Sequence, residues 1–376
     1  MYRKGYGEMK KEKYNVGIIG ATGMVGQRFI TLLADHPWYN VTVLAASPRS
    51  AGKPYKEAVG KKWCMDTEIP ADIADMTVMN AQDDVEKIAD MVDFVFCAVD
   101  MKKDEIKALE DRYAKAECPV VSNNSAHRHT PDVPMIIPEI NPEHIEIIPS
   151  QRKRLGTKRG FIAVKSNCSL QSYLPALAIV NRKYPVDHAL VTTYQAISGA
   201  GKTFETWPEM VDNLIPYIGG EEMKSEIEPN KILGKIEGGE IVPSEELNIE
   251  CQTYRVPVSN GHTAAIFFSF KDSENKPSVD EIEKLWIGYK GVPQQLKLPH
   301  APKQFIYVYT EKEQPDMPQI KTAREIDGGM AISCGRLRES SQYDYKMVSM
   351  SHNTLRGAAG GAVLLAELLT AKGYMD

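Results

Sequence analysis

Val16-Gly17-Ile18-Ile19-Gly20-Ala21-Thr22-Gly23-Met24-Val25-Gly26-Gln27-Arg28-Phe29 is an apolar strand that runs through a Gly-x-x-Gly-x-x-Gly turn into an amphipathic helix. Glycines let the backbone approach a pyrophosphate, and the helix N-terminus supplies free N–H groups and a positive dipole end. The spacing differs from the common G-x-G-x-x-G, so the strand–turn–helix context carries the assignment. Gly20, Thr22, Gly23, Met24 and Val25 are the candidate cofactor-binding residues here. Working outward, strand-like runs at 16–19, 41–46, 92–99, 119–121 and 135–137 alternate with helix-like runs such as 27–35 and 103–116. Such alternation predicts an α/β fold of Rossmann type, a parallel sheet covered on both faces.

The strand at 41–46 ends in Ser47-Pro48-Arg49-Ser50, with no acid to accept ribose hydroxyls. Two hydroxyls and a guanidinium suit a 2′-phosphate, so Ser47, Arg49 and Ser50 point to NADP over NAD, the alternative being a solvated Arg49. Beyond residue 166 the texture changes to a helix after Cys168, strands at 189–194 and 264–270, and a hairpin-like Ser259-Asn260-Gly261. An α+β catalytic and dimerisation domain with a mixed sheet is expected over 167–353. Segment 354–376, rich in Ala, Leu and Gly, returns as a buried helix to the cofactor domain of 14–166, and residues 1–13 read as a flexible tail.

Composition excludes several classes. Over 376 residues, 45 Lys and Arg face 50 Asp and Glu, a net charge of −5. No basic block exists, which argues against nucleic acid as a partner. No apolar run approaches the ~18 residues of a membrane span. The six cysteines show no C-x-x-C pair, so neither disulfides nor a metal site is expected. The N-terminus lacks an apolar core, which leaves a cytoplasmic protein as the expectation.

Among the cysteines, Cys168 is singular, because it stands where a strand gives way to a helix. A helix N-terminus favours the thiolate and makes a nucleophile, against the alternative of an inert buried thiol. Cys97, Cys118 and Cys334 lie in or beside apolar runs and read as core fillers. A thiol nucleophile needs a base. His262 opens an apolar strand seven residues after Arg255 and is the candidate; His36 reads as a loop residue, and His144 and His188 as flanking surface elements. Ala196–Thr203 imitates a phosphate-cradling P-loop, but Pro208 disfavours the long helix such a loop opens.

Together these motifs resemble the aspartate-semialdehyde dehydrogenases, in particular their archaeal and fungal branch. The resemblance rests on the stretches 20–26, 44–53, 122–128, 166–168, 195–201, 212–216, 255–262 and 352–361. It implies NADP-dependent reductive dephosphorylation of L-aspartyl 4-phosphate to L-aspartate 4-semialdehyde, on the route to lysine, threonine and methionine. It further implies Cys168 as nucleophile, His262 as acid/base and Gln195 as the amide that positions the acyl group. Arg255 would hold the substrate carboxylate and Glu221 its ammonium, with Lys224, Arg128 and Asn167 at phosphate. Ser198, Gly199, Gly201 and Asn353 would line the nicotinamide half of the cofactor site. Inorganic phosphate and a small-molecule substrate are the implied ligands, and a homodimer or homotetramer the implied assembly. The chain departs from its relatives at Lys202-Thr203-Phe204-Glu205-Thr206-Trp207. A CoA-thioester reductase of the malonyl-CoA type, a P-loop NTPase and a non-catalytic dinucleotide-binding regulator are the alternatives.

Overall fold

The computed structural model describes residues 11–310 and 319–376. Most of the expected tail at 1–13 therefore lies outside the described residues; Lys11 pairs with Asp93 at 2.5 Å. The first sheet is built from β1 (Tyr14–Ile19), β2 (Tyr39–Ala46), β3 (Met79–Asn80), β4 (Phe94–Cys97), β5 (Val120–Ser122), β6 (Met135–Ile136) and β7 (Ile162–Lys165). Their order is β3-β2-β1-β4-β5-β7-β6, and every pairing is parallel. Strands buried on both faces must be apolar throughout, and Phe94, Val95, Phe96 and Cys97 meet that demand. The chain runs outward from β1 through β2 to β3 and then returns to β4 on the other side of β1, and that reversal of order opens a crevice at the carboxyl ends of the strands.

The second sheet contains β8 (Val186–Gln195), β11 (Asn248–Arg255), β12 (His262–Phe270), β13 (Ile306–Tyr309), β14 (Ile332–Glu339) and β15 (Tyr345–Ser351); β9 (Lys235–Glu237) and β10 (Glu240–Val242) form a separate hairpin. The order β11-β8-β12-β15-β14-β13 mixes parallel and antiparallel pairs. The expected hairpin at Ser259-Asn260-Gly261 does not form, because β8 occupies the place between β11 and β12. Instead the turn, with Gly261 at φ +97°, carries the chain across β8. Register then sets Arg255 opposite Gln195 and Thr263 opposite Tyr194, so one corner of the sheet gathers Gln195, Arg255 and His262.

The last helix, Ala359–Ala371, is buried along its whole length and packs on the helix Met24–Leu33 and on β5 and β7. Its one acid, Glu367, joins His36 at 2.8 Å and His300 at 2.6 Å. His36 Nδ1 accepts the Trp38 and Tyr39 N–H groups, so its proton sits on Nε2 and points at the carboxylate. His36 is therefore part of a buried clamp, and His144 is buried as well, its ring bonded to Asn141 and to the Gly234 carbonyl. His36 lies in a loop, as expected, yet is buried, and His144 is buried where a surface position was expected. No helix among the described residues is long and apolar enough to cross a membrane.

Candidate active site

The glycine-rich turn is shaped by close approach. Gly20 adopts φ +94°, and a Cβ there would fall on the Ala98 carbonyl; one on Gly26 would stand 2.7 Å from Ala21 Cα. Gly23 caps the helix Met24–Leu33 with no side chain bonded to its first turn, so those N–H groups are open to an anion. Gln27 braces the turn, donating to the carbonyls of Thr22 and Lys62 and accepting from the Cys64 N–H. Nothing in its sequence pattern marked it.

Two cavities flank this turn. One of 610 Å³ is lined by Thr22, Gly23, Met24 and Gln27 on one side and by Gly201, Thr203, Phe204 and Thr206 on the other. The other, of 340 Å³, is lined by Val25, Ser198, Gly199, Asn353, Arg128, Asn167, Cys168 and Lys224. Met24 and Val25 are neighbours, as are Gly199 to Gly201, so the cavities are two ends of one groove. The departure at Lys202–Trp207 thus forms the wall opposite the glycine turn. Ser47, Pro48 and Arg49 are exposed in a turn after β2 and line neither cavity. They follow Ala45, whose carbonyl accepts the N–H groups of Gly20 and Ala21.

Cys168 and His262, far apart in sequence, meet with Sγ 3.4 Å from Nε2. The local context of the cysteine differs from expectation. A short 3₁₀ turn, Leu170–Ser172, follows it, and the α-helix Leu174–Asn181 begins only after a break at Tyr173. The thiol accordingly lacks a full helix dipole. Burial pushes it above its ordinary range and Glu221 adds to this, whereas Lys165, Arg128 and Arg255 act in the opposite sense. His262 Nδ1 accepts the Ala196 N–H at 3.1 Å, which places the proton of the neutral ring on Nε2, facing sulfur. The imidazole is thus a donor toward Sγ, rather than the base for the thiol that sequence reasoning sought. Burial, and then Arg255, pull it down to about 3.

The remaining candidates surround this pair. Glu221 opens the helix Glu221–Ile232; its Oε1 holds Lys224 Nζ at 2.6 Å and its Oε2 accepts Asn167 Nδ2 at 2.9 Å. Gln195 Nε2 lies 3.5 Å from the same Oε2. Arg255 Nη1 donates to the Ala196 carbonyl at 2.7 Å, and a Cβ on Gly199 would stand 2.8 Å from that nitrogen and 3.2 Å from His262 Cε1. Asn353 bonds Ser198 Oγ at 2.9 Å and the Gly261 N–H at 2.7 Å, which locks the turn before His262.

Sequence reasoning missed Glu228. It is buried, and its two oxygens accept Arg128 Nη1 at 2.9 Å and the Asn167 N–H at 2.7 Å. One carboxylate therefore fixes a candidate phosphate ligand and the residue before the nucleophile. Lys231, one turn on, donates to the carbonyls of Arg128, Thr130 and Val133. Burial pulls it down to about 7, yet three donated bonds use all three N–H of the ammonium.

Comparison with known proteins adds a second line of evidence. Residues 15–148 match the family model "Semialdehyde dehydrogenase, NAD binding domain", and residues 177–356 match "Semialdehyde dehydrogenase, dimerisation domain". The aspartate-semialdehyde dehydrogenase of Methanothermobacter thermautotrophicus is 40% identical, with 94% of this chain and 98% of that protein covered. The chain belongs to the aspartate-semialdehyde dehydrogenase family. The Saccharomyces cerevisiae member is 41% identical over 95% of this chain and 97% of its own length. A crystal structure of the Candida albicans aspartate-semialdehyde dehydrogenase with NADP superposes with a TM-score of 0.86 at 38% identity, covering 96% of this chain and 99% of that one. Membership of this family accounts for a Rossmann-type sheet joined to a mixed sheet.

Proposed function

We propose that the chain carries out the family's reaction, the reversible NADPH-dependent conversion of L-aspartyl 4-phosphate to L-aspartate 4-semialdehyde and phosphate, at Cys168. The observation that carries this is the Cys168–His262 contact at 3.4 Å, at one end of the groove that begins at the glycine turn. Uncapped N–H groups beyond Gly23 and the close approach that Gly20 and Gly26 permit fit a dinucleotide pyrophosphate. Thr22, Met24 and Val25 would hold that half, Ser198, Gly199, Gly201 and Asn353 the nicotinamide, and Ser47, Arg49 and Ser50 the 2′-phosphate.

The Cys168 thiolate attacks the acyl carbon, the C–O bond to phosphate breaks, and a thioester forms. Arg128, Asn167 and Lys224 hold the departing anion. NADPH, when bound, supplies hydride to the acyl carbon. His262 presents Nε2–H to the oxygen of the resulting tetrahedral centre, which is attached to the carbon that sulfur carries. That oxyanion collapses to the aldehyde and expels the thiolate, so the step needs no net proton. With Nη1 occupied, Nε and Nη2 of Arg255 remain for the substrate carboxylate. Glu221 takes the ammonium and Gln195 positions the acyl group.

A CoA-thioester substrate would bring no ammonium for Glu221, a buried carboxylate at the site whose present cationic partner is Lys224 at 2.6 Å. Assay of NADPH formation from the semialdehyde, with and without inorganic phosphate and with malonyl-CoA as rival for the reverse reaction, tests the proposal. Phosphate-dependent turnover is expected, abolished in Cys168→Ser with NADP binding retained; phosphate-independent turnover would refute it. We further place the enzyme in the cytoplasm, as a homodimer or homotetramer assembled through the outer face of the second sheet. On that face Tyr194 stacks on Tyr254 with ring centroids 5.8 Å apart, and light scattering reads the assembly directly.

A further inference from the structure

Lys165 ends β7, three residues before Cys168, and is 1% exposed, yet it lines the same cavity as the thiol. Its Nζ donates to the carbonyls of Ser166 and Gly357. Those two bonds are all that a neutral amine can donate, and an ammonium makes them equally well with one N–H to spare. Lys165 can therefore exist in either protonation state without losing a partner. Lys231, which needs three N–H for three carbonyls, cannot.

We propose that Lys165 is the charge partner of the Cys168 thiolate, a positioning residue that lets a thiol without a helix dipole ionise inside the protein. Moving the proton from Sγ to Nζ breaks S–H and makes N–H. Thiol plus amine become thiolate plus ammonium, with no change in total charge. Burial penalises each ion alone, so the neutral thiol and amine are the resting pair, and a nearby ammonium offsets part of the cost when the thiolate forms. Asp100, Lys103, Arg128 and Lys224 are the other charged residues that line the shared cavity. Arg128, Glu228 and Glu221 act on Lys165 together with the thiol itself, and burial with the neighbouring Arg128 brings the amine down to about 7. On Cys168 the influences are Glu221 against Lys165, Arg128 and Arg255, with Lys165 the foremost of those that favour the thiolate. His262 adds its Nε2–H. Beside Gly357, Arg356 is fully engaged by Glu139 at 2.7 and 2.9 Å and contributes nothing to the pair. The inference rests on Cys168 being the nucleophile.

The test is the pH profile of Cys168 alkylation by iodoacetamide, read by peptide mass spectrometry, in wild type, Lys165→Met and Lys165→Gln. Gln removes the charge but keeps an NH₂ group, one bond shorter in reach, for the two carbonyls, and Met removes charge and donors together, so the pair separates charge from clamp. Both variants should move the profile upward by at least about one pH unit, with alkylation at pH 7 slowed roughly tenfold or more. A Gln variant that overlays wild type, or two variants without any shift, overturns the role of Lys165 alone. Failure of both variants to fold would assign Lys165 to the fold and overturn it as well. A wild-type enzyme labelled first at another cysteine would refute the nucleophile, and Lys165 with it.

Discussion

Replacing Glu228 by Gln removes one negative charge from the interior and nothing else in size. Glu228 is 1% exposed and serves two donors at once, Arg128 Nη1 at 2.9 Å and the Asn167 N–H at 2.7 Å. A Gln amide offers one acceptor and one NH₂ group, so one of those donors must face another donor. One charge-assisted hydrogen bond worth about 1.5–3 kcal/mol is lost. In addition, the Arg128 guanidinium keeps only the carbonyls of Lys165 and Asn123 as partners. Breaking one side of a buried ion pair costs about 3–5 kcal/mol in all. Urea unfolding of wild type and Glu228→Gln should show that loss. Steady-state assays should show a raised KM for phosphate, because Arg128 and Asn167 shift together. An unchanged unfolding free energy with an unchanged KM would show that Glu228 fixes neither group, and the account of the site would fail there.

Gly199→Ala should reduce kcat/KM by about a hundredfold, since its Cβ stands 2.8 Å from Arg255 Nη1 and an ångström of misplacement has that effect. Wild-type kinetics in this variant would show that Arg255 and His262 tolerate displacement. Arg49→Ala should weaken NADP about tenfold, the low end for a charged hydrogen bond because Arg49 is exposed, and leave NAD unchanged. Parallel titrations decide, and equal weakening of both cofactors would assign Arg49 to the loop instead. Acid should destabilise the fold between pH 6.5 and 5. His262 and His352 are pulled down to about 3, chiefly by burial, so their contribution is complete above pH 6.5 and is lost as the pH falls toward 3, where the unfolded chain binds protons the folded one refuses. At about 1.4 kcal/mol per pH unit each, the pair removes roughly 4 kcal/mol by pH 5. Burial raises Glu110, which acts in the opposite sense. A flat urea midpoint over that range would contradict the buried neutral state.

The parts of this molecule that were legible in sequence are those whose physics is local. A backbone that must approach an anion demands glycine, so Gly20, Gly23 and Gly26 announced themselves. Apolar β4 did likewise, because a strand covered on both faces admits nothing polar. Cys168 and His262 were candidates by position, Gln195 and Arg255 through family resemblance, and the structure gathers them. Their meeting follows from β8 lying between β11 and β12, a tertiary fact that the turn residues at 259–261 conceal and even contradict. Glu228 and Lys165 stayed hidden for another reason. A charged residue in an amphipathic or strand-end position looks solvated until something is found to cover it. The environment of the thiol was misjudged because one residue, Tyr173 at φ −140°, separates the 3₁₀ turn from the helix.

The helix Ala359–Ala371 covers a sheet whose last strand ends at Lys165, and the whole of the second sheet is encoded between them. During translation the first sheet must wait for this cover. At ~5–20 residues per second the interval is roughly 10–40 s, long compared with the microseconds of apolar collapse. For that time Phe29, Val121 and Ala163, on the elements that the helix packs against and in one apolar cluster with it, lack their final partner. The nascent cofactor domain therefore leaves the ribosome with an open apolar flank. The last, thirteen-residue helix, not the strands before it, closes that flank, so the first sheet is completed only when the chain is nearly finished.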